Sequence, residues 1–234
     1  MKALLRWAHP TRGFTNPDRF IPLAEQTSII VPLGGWLLRQ ACLQLEAWRL
    51  PWLESGLAAT TLPSVSVNIS GRELLENDFV EEVAEAIRLT NASARRVTLE
   101  TTETVIMQDT ERTLMMLRRL QADGVLLALD GFGTGYSSLS YLPKFPVDIL
   151  KIDRAVVDGV ALGYSDAALA PTIITLGHTL GLRTVAEGLE DIAPRDQLRR
   201  LECLRGSGKP MLPPATTHRL LEQRTCAAAF LGAV

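Results

Sequence analysis

Apolar runs of strand length alternate along this chain with amphipathic segments of helical period. The runs predict strands at residues 3–7, 65–70, 97–101, 125–130, 148–152 and 183–187. They are nearly continuous in leucine and β-branched residues, a pattern typical of strands buried on both faces of a parallel sheet. The helical patterns between them predict helices at residues 78–89, 110–123 and 166–180, the last with Pro171 in its first turn.

The alternation of strands and helices indicates an α/β fold. From residue 65 onward the predicted strand ends recur about every 20 to 36 residues, which is the length of one strand–helix unit. This period favours a (β/α)8 TIM-like barrel over an open sheet, and a chain of 234 residues suits one such barrel.

A polar side chain stands at the end of each of five predicted strands. These residues are Asn68, Glu100, Asp130, Lys151 and Glu187. In a parallel barrel such positions meet at one rim, where the active sites of these folds lie. Three carboxylates and an amide are oxygen ligands suited to Mg²⁺ or Mn²⁺, and a lysine beside them can hold a water or a phosphate oxygen. The set predicts metal-assisted hydrolysis of a phosphodiester.

Each of these residues also has a purely structural interpretation. Asn68 can cap the following helix, and Glu100 and Glu103 can be solvated acids of a loop. Asp130 can bond to its own glycine turn, and Lys151 can pair with Asp130 or Asp153. Five polar strand ends in succession favour the functional interpretation. The glycines after Asp130 lack the lysine of a phosphate-binding Walker motif, so we interpret them as a tight turn between strand and helix.

Composition narrows the classes of partner. The formal net charge is −2, so no basic surface predicts a nucleic-acid partner. No stretch approaches the ~18 consecutive apolar residues of a membrane span, and the first residues do not form a secretion signal. We expect a cytoplasmic protein with no membrane segment in this chain.

Several motifs in order along the chain resemble the EAL domain family. They are ALLRW at 3–7, FIPLAE at 20–25, SVNIS at 66–70, ETTE at 100–103, LDGFGTGYSSL at 129–139, KIDR at 151–154 and AEGLE at 186–190. Members of this family are bacterial phosphodiesterases that open cyclic di-GMP to linear pGpG with two Mg²⁺ or Mn²⁺ ions. The resemblance extends to about residue 214 and implies the barrel of that family. It thus predicts a barrel domain at residues 1–215 and leaves a C-terminal tail at residues 216–234, which we predict to be a helix.

The resemblance also implies a role for each matching residue. Asn68, Glu100, Asp130 and Glu187 match metal ligands, and Lys151 matches the lysine that positions or activates the attacking water. Glu103 matches a glutamate that braces the loop after Asp130. Arg6 matches an arginine that contacts a substrate phosphate, for which a forked guanidinium is well suited.

Three positions depart from the family pattern. Lys2 replaces the glutamate of the name motif, Gly131 replaces the second aspartate of the D-D-F-G-T-G loop, and Ser207 replaces a glutamine. The first two are metal ligands in active members, and their loss makes the site three charges more positive. Each charge at ~4 Å from an ion is worth about 4 kcal/mol at an effective dielectric of ~20. The family's first strand, which precedes Lys2, is also missing from the sequence, so we expect a degenerate and truncated member.

These departures lead to competing functional predictions. The first is a catalytically impaired module that binds cyclic di-GMP or regulates a partner. The alternative is an active metal-dependent phosphodiesterase that converts cyclic di-GMP to pGpG, and a third is a fragment without function. Mg²⁺ or Mn²⁺ is the cofactor of any hydrolysis that survives, and no cofactor is expected otherwise. The family resemblance further implies a homodimer through the loop and helix after Asp130.

Overall fold

The computed structural model describes residues 1–108, 110–133, 142–162, 169–187 and 204–205. The chain divides into two compact units, with Met1–Val97 in the first and Thr98–Lys209 in the second. Ser207 and the predicted tail at 216–234 lie outside the described residues, so the domain boundary at residue 215 stays a prediction.

The first unit contains a short parallel strand pair. Strand β1, Lys2–Ala3, pairs with β4, Val65–Asn68, with Lys2 beside Ser66. The pairing is extended by the backbone N–H of Ser66, which donates to the carbonyl of Met1 over 2.7 Å. The end of β4 at Asn68 agrees closely with the prediction from the sequence.

The predicted strand at residues 3–7 is wrong in its extent. Strand β1 ends at Ala3, and Trp7 begins a separate antiparallel hairpin formed by β2, Trp7–His9, and β3, Gly13–Thr15. A turn with Gly13 at φ +67° closes this hairpin, and the Trp7 ring packs edge-on against Phe20 at 5.8 Å. The apolar run is therefore divided between two sheets.

Residues 1–97 of the first unit form four α-helices. They are α1, Pro17–Gln26; α2, Ile30–Glu54; α3, Gly71–Leu75; and α4, Phe79–Thr90. Helix α2 packs against the other three helices and against β4. Its buried residues include Leu38, Ala41, Leu45, Trp48 and Trp52, whose alternating spacing of three and four is that of one helical face. Helix α4 confirms the segment predicted at 78–89.

The second unit is built on parallel strands. In spatial order they are β5, Val97–Thr102; β6, Leu126–Phe132; β7, Ile149–Ile152; β8, Arg183–Ala186; and β9, Leu204–Arg205. The first four agree with the predicted strands to within two residues at either end. Leu99, Leu127, Leu129 and Leu150 are fully buried in them, as expected for strands covered on both faces.

Among the described residues of the second unit, four α-helices follow the strands. They are α5, Glu103–Gln108; α6, Thr110–Ala122; α7, Arg154–Leu162; and α8, Leu169–Thr179. Helices α6 and α8 correspond to the predicted segments at 110–123 and 166–180, and Pro171 lies in the first turn of α8. Within the described part of the chain, none of the helices has the length and apolar content needed to cross a membrane.

Candidate active site

The ammonium group of Lys151 lies among three carboxylates in the second unit. Its Nζ atom is 2.7 Å from Oε2 of Glu100, 2.9 Å from Oδ1 of Asp130 and 2.5 Å from Oε1 of Glu187. The side chains of Lys151 and Glu100 are only 6% and 3% exposed, whereas those of Asp130 and Glu187 are 17% and 22% exposed. The cluster is therefore shielded from solvent at Lys151 and Glu100 and reaches solvent at Asp130 and Glu187.

The parallel strands explain why these side chains meet. Glu100 lies in β5, Asp130 in β6 and Lys151 in β7, and Glu187 directly follows β8. The backbone N–H of Glu187 donates to the carbonyl of Ile152 over 3.0 Å, which continues the pairing of β7 with β8. Since parallel strands present their carboxyl ends at one edge, four of the five predicted strand-end residues are brought together.

A bulge in β6 sets the direction of Asp130. The register of β6 against β7 shifts between Leu129 and Phe132, which pair with Leu150 and Ile152. Two residues of β6, Asp130 and Gly131, thus oppose the single residue Lys151. Gly131 has φ +69°, and its N–H donates to Oδ1 of Asp130 over 3.0 Å. Bulges with a left-handed glycine re-aim side chains next to functional sites, and here the bulge aims Asp130 at Lys151.

The carboxylates keep Lys151 charged. Burial by itself lowers the pKa of Lys151, but the charge of Glu100 and its hydrogen bond, together with Glu187 and Asp130, outweigh burial and raise the pKa above its ordinary value. The three carboxylates and one ammonium carry a formal charge of −2. Because the cluster is partly buried, this excess negative charge attracts a cation more strongly than a fully solvated cluster would.

The donor set suits a hard divalent cation in its chemistry. All three acidic side chains offer oxygen, which Mg²⁺ and Mn²⁺ prefer. Within the described ranges, no group of three or more His, Cys, Asp or Glu side chains is arranged to hold a metal ion. The Lys151 ammonium takes the centre of the carboxylate set instead. The chemistry of the donors therefore suits a divalent cation, whereas their arrangement around the Lys151 ammonium is that of an ion-pair cluster.

Three predicted site residues belong to the first unit. Asn68 ends β4 with an exposed side chain, and Lys2 lies half-buried in β1. Arg6 is exposed between β1 and β2, where its Nη1 donates to the carbonyl of Leu5 over 2.8 Å. Asn68 does not cap the following helix, because Ser70 is the N-cap of α3.

Glu103 is the first residue of α5, three positions after Glu100. The loop that it is predicted to brace includes residues 134–141, which lie outside the described residues. Its role therefore stays a prediction.

Asp153 lies beside the bulge in β6. A Cβ atom added to Gly131 would lie 4.0 Å from Oδ2 of Asp153, and Oδ1 accepts a hydrogen bond from the N–H of Ala155 over 2.8 Å. The KIDR motif contained Asp153, but only the structure shows that its carboxylate faces Gly131.

Of the two pairings considered for Lys151, the one with Asp130 is confirmed.

Sequence reasoning also missed a buried carboxylate in the first unit. Glu73, in α3, is only 4% exposed and forms a reciprocal capping box with Ser70. The S-x-x-E spacing of residues 70–73 is the signal that predicts this box. That spacing does not indicate that Glu73 is buried, because burial depends on how α3 packs against the rest of the first unit.

Comparison with known sequences shows the family to which this chain belongs. The family model described as "EAL domain" matches residues 1–214. The chain is 40% identical over 215 residues to the bifunctional diguanylate cyclase/cyclic di-GMP phosphodiesterase MucR of Pseudomonas aeruginosa, which covers 90% of this chain and 30% of MucR. This chain belongs to the EAL domain family, and it spans about a third of the length of that relative.

Solved structures show the same fold. The PaMucR phosphodiesterase in complex with c-di-GMP superposes with a TM-score of 0.76 at 40% identity, over 86% of this chain and 79% of that one. The EAL enzyme Bd1971, in its form bound to cAMP and cyclic di-GMP, gives a TM-score of 0.80 at 31% identity over 86% and 54% of the two chains. The predicted fold class, an α/β TIM-like barrel of the EAL type, is confirmed.

Proposed function

We propose that this EAL domain binds cyclic di-GMP and is impaired in hydrolysing it, so that it acts as a receptor or regulatory module. Support for binding comes from its relatives, since MucR carries the name of a cyclic di-GMP phosphodiesterase and was solved with c-di-GMP. Arg6 is retained and exposed, and it offers a forked cation to a phosphate group.

Gly131 carries the proposal of impaired hydrolysis. The bulge fixes this residue next to Asp130, at the point where the resemblance implies a second metal-binding carboxylate, and glycine supplies no ligand there. Lys2 places a positive charge where the same resemblance implies another carboxylate. Two-metal catalysis stabilises both the attacking and the leaving oxygen, so a site that holds one ion no longer stabilises both of them with metal.

The remaining carboxylates support one Mg²⁺ or Mn²⁺ ion rather than two. We propose Glu100, Asp130 and Glu187 as its ligands, and the family resemblance alone adds Asn68 as a fourth. A bound divalent cation would neutralise negative charge on a phosphate. Lys151 has a separate role, because its ammonium, held charged by the carboxylates, can hold a water or a phosphate oxygen in place.

An active metal-dependent phosphodiesterase is the second candidate. It is supported by the cluster around Lys151, whose ammonium lies 2.5–2.9 Å from carboxylate oxygens of Glu100, Asp130 and Glu187. In this alternative one ion and Lys151 suffice for conversion of cyclic di-GMP to pGpG. The homodimer through the loop and helix after Asp130 is a further proposal that applies to both candidates.

Calorimetric titration with cyclic di-GMP in EDTA tests the binding proposal. We expect saturable binding without metal, and about tenfold weaker binding for Arg6→Ala, since a lost charge-assisted hydrogen bond costs ~1.5–3 kcal/mol. Arg12→Ala is the matched control, because Arg12 is an exposed arginine of the adjacent hairpin turn. Absence of heat at high micromolar ligand contradicts the receptor proposal. Chromatography of the same mixtures with Mn²⁺ separates the two candidates by whether pGpG appears.

A further inference from the structure

The buried capping box of α3 begins two residues after Asn68. Oε2 of Glu73 accepts the backbone N–H of Ser70 over 2.8 Å and the Ser70 hydroxyl over 2.7 Å. The N–H of Glu73 donates in return to the Ser70 hydroxyl oxygen over 3.3 Å. One carboxylate oxygen thus fixes the peptide that enters α3, and with it the direction in which the chain leaves β4 at Asn68.

The fold makes special room for this carboxylate. A Cβ atom on Gly34, in the interior of α2, would lie 1.8 Å from Oε1 of Glu73. Any side chain at residue 34 would therefore displace Glu73. The neighbouring Gly35 differs, because its nearest contact would be Oε2 of Glu82 at an ordinary 3.7 Å. Glycine inside a helix is unfavourable, so its presence at residue 34 has a structural reason in Glu73.

Stability alone does not explain the burial of Glu73. Burial raises the pKa of Glu73 to about 7 against the lowering effect of the Ser70 bonds, and the nearby charges of Glu25 and Glu82 raise it further. A surface capping box would satisfy the helix end without this desolvation. What the buried box adds is rigidity, because Glu73 is held between α2 and the chain that follows β4.

We infer that Glu73, seated against Gly34, is a positioning residue for Asn68. Its carboxylate fixes Ser70, and the buried side chain of Ile69 anchors the residue between. The backbone at Asn68 is thereby held in one direction at the end of β4, and the side chain starts from a fixed Cα–Cβ bond. The placement of Asn68 by Glu73 involves residues of the first unit alone. Only the further step, in which Asn68 serves as a metal ligand, rests on the proposed function.

Nitrogen-edited proton NMR of the full chain tests the placement directly. The side-chain amide signals of Asn68, identified by their loss in Asn68→Asp, should shift in Glu73→Ala and Gly34→Ala. They should stay in place in Glu73→Gln, whose amide oxygen still accepts the hydrogen bonds from Ser70. They should also stay in place in Gly35→Ala, which is the same glycine-to-alanine change at a neighbouring position with room for a Cβ atom. Unshifted Asn68 signals in folded Glu73→Ala and Gly34→Ala protein would overturn the inference.

Calorimetric titration with Mn²⁺ then tests the functional consequence. Second-sphere changes at metal sites cost about 10- to 100-fold in affinity, so we expect this loss in Glu73→Ala and Gly34→Ala but not in Glu73→Gln or Gly35→Ala. If Gly34→Ala does not fold, Ser70→Ala replaces it, because it removes the hydroxyl half of the box. Wild-type protein that takes up no Mn²⁺ would contradict the proposed metal site, while the NMR comparison still decides the placement of Asn68.

Discussion

Oδ2 of Asp153 lies 4.0 Å from the position that a Cβ atom on Gly131 would occupy. A carboxylate introduced at residue 131 would therefore be placed next to an existing one. Two like charges at this separation repel unless a cation lies between them. This relationship makes Gly131 the most informative position at which to test whether the site has lost a metal ligand.

Gly131→Asp should tighten Mn²⁺ binding and lower the free energy of unfolding of the metal-free protein. Aspartate tolerates the left-handed backbone better than most residues, yet a cost of ~1–3 kcal/mol remains. A negative charge ~4 Å from a cation is worth up to about 4 kcal/mol at a dielectric of ~20, so at least about tenfold tighter binding is expected. Thermal unfolding and calorimetry with and without Mn²⁺ measure both effects.

Gly131→Asn is the matched control for this change. It imposes a similar backbone strain and nearly the same volume without the charge. We expect the asparagine variant to lose stability like the aspartate variant but to bind Mn²⁺ no more tightly than the wild type does. Equal Mn²⁺ affinity in the two variants would show that residue 131 does not face the ion.

Lys151→Met should destabilise the fold strongly at neutral pH. Removal of one partner from a buried ion pair leaves an uncompensated charge, here on Glu100 and Asp130, and costs ~3–5 kcal/mol. Urea denaturation measures the loss, which should shrink when Mn²⁺ is added or when the pH is low enough to protonate the carboxylates. Arg154→Met, which breaks the exposed Arg154–Asp158 pair, should cost at most ~1 kcal/mol. Equal losses in the two variants would contradict the buried cluster.

Glu73 should make the stability of the protein depend on pH. Its pKa is raised from 4.5 to about 7 on folding, so between these values the folded protein retains a proton that the unfolded chain has released. The free energy of unfolding therefore falls as pH rises through this window, and one pKa unit corresponds to ~1.4 kcal/mol. The loss attributable to Glu73 is on the order of 3 kcal/mol and is complete above the raised pKa.

Glu73→Gln isolates this contribution, because its amide keeps the hydrogen bonds and does not titrate. Denaturant unfolding should find the variant close to the wild type at about pH 5 and more stable at about pH 8. A stability difference between variant and wild type that does not change with pH would show that Glu73 stays ionised in the folded protein.

The strand-end residues of the second unit were predictable because two signals coincide there. Each predicted strand is an apolar run that ends in a polar residue, and parallel strands present these ends at one edge. Glu100, Asp130, Lys151 and Glu187 were found in this way. The pattern does not show that Lys151 contacts all three carboxylates. The contact with Asp130 depends on the bulge at Gly131, which is a shift in the pairing of β6 with β7. Such a shift cannot be inferred from the apolar and polar pattern of one strand.

Features that depend on contacts distant in sequence were not predicted. Helix α2 was missed, although its buried residues follow a helical period, because glycines and prolines interrupt the pattern. Trp7, the first residue of the β2–β3 hairpin, was merged with β1 because the apolar run continues from residue 3 to residue 7 with only Arg6 as an interruption. The contact between Gly34 and Glu73 joins residues far apart in the chain, and no local pattern reveals a close approach of that kind.

Formation of pGpG by the wild type and by the double variant Lys2→Glu/Gly131→Asp is the most direct test of impaired hydrolysis. With Mn²⁺ and cyclic di-GMP, the wild type should produce no more pGpG than Lys151→Met. The double variant, which restores both carboxylates, should produce at least about 100-fold more, equivalent to ~2.7 kcal/mol of transition-state stabilisation. Wild-type turnover well above the Lys151→Met level and equal to that of the double variant would contradict the impairment and identify an active phosphodiesterase.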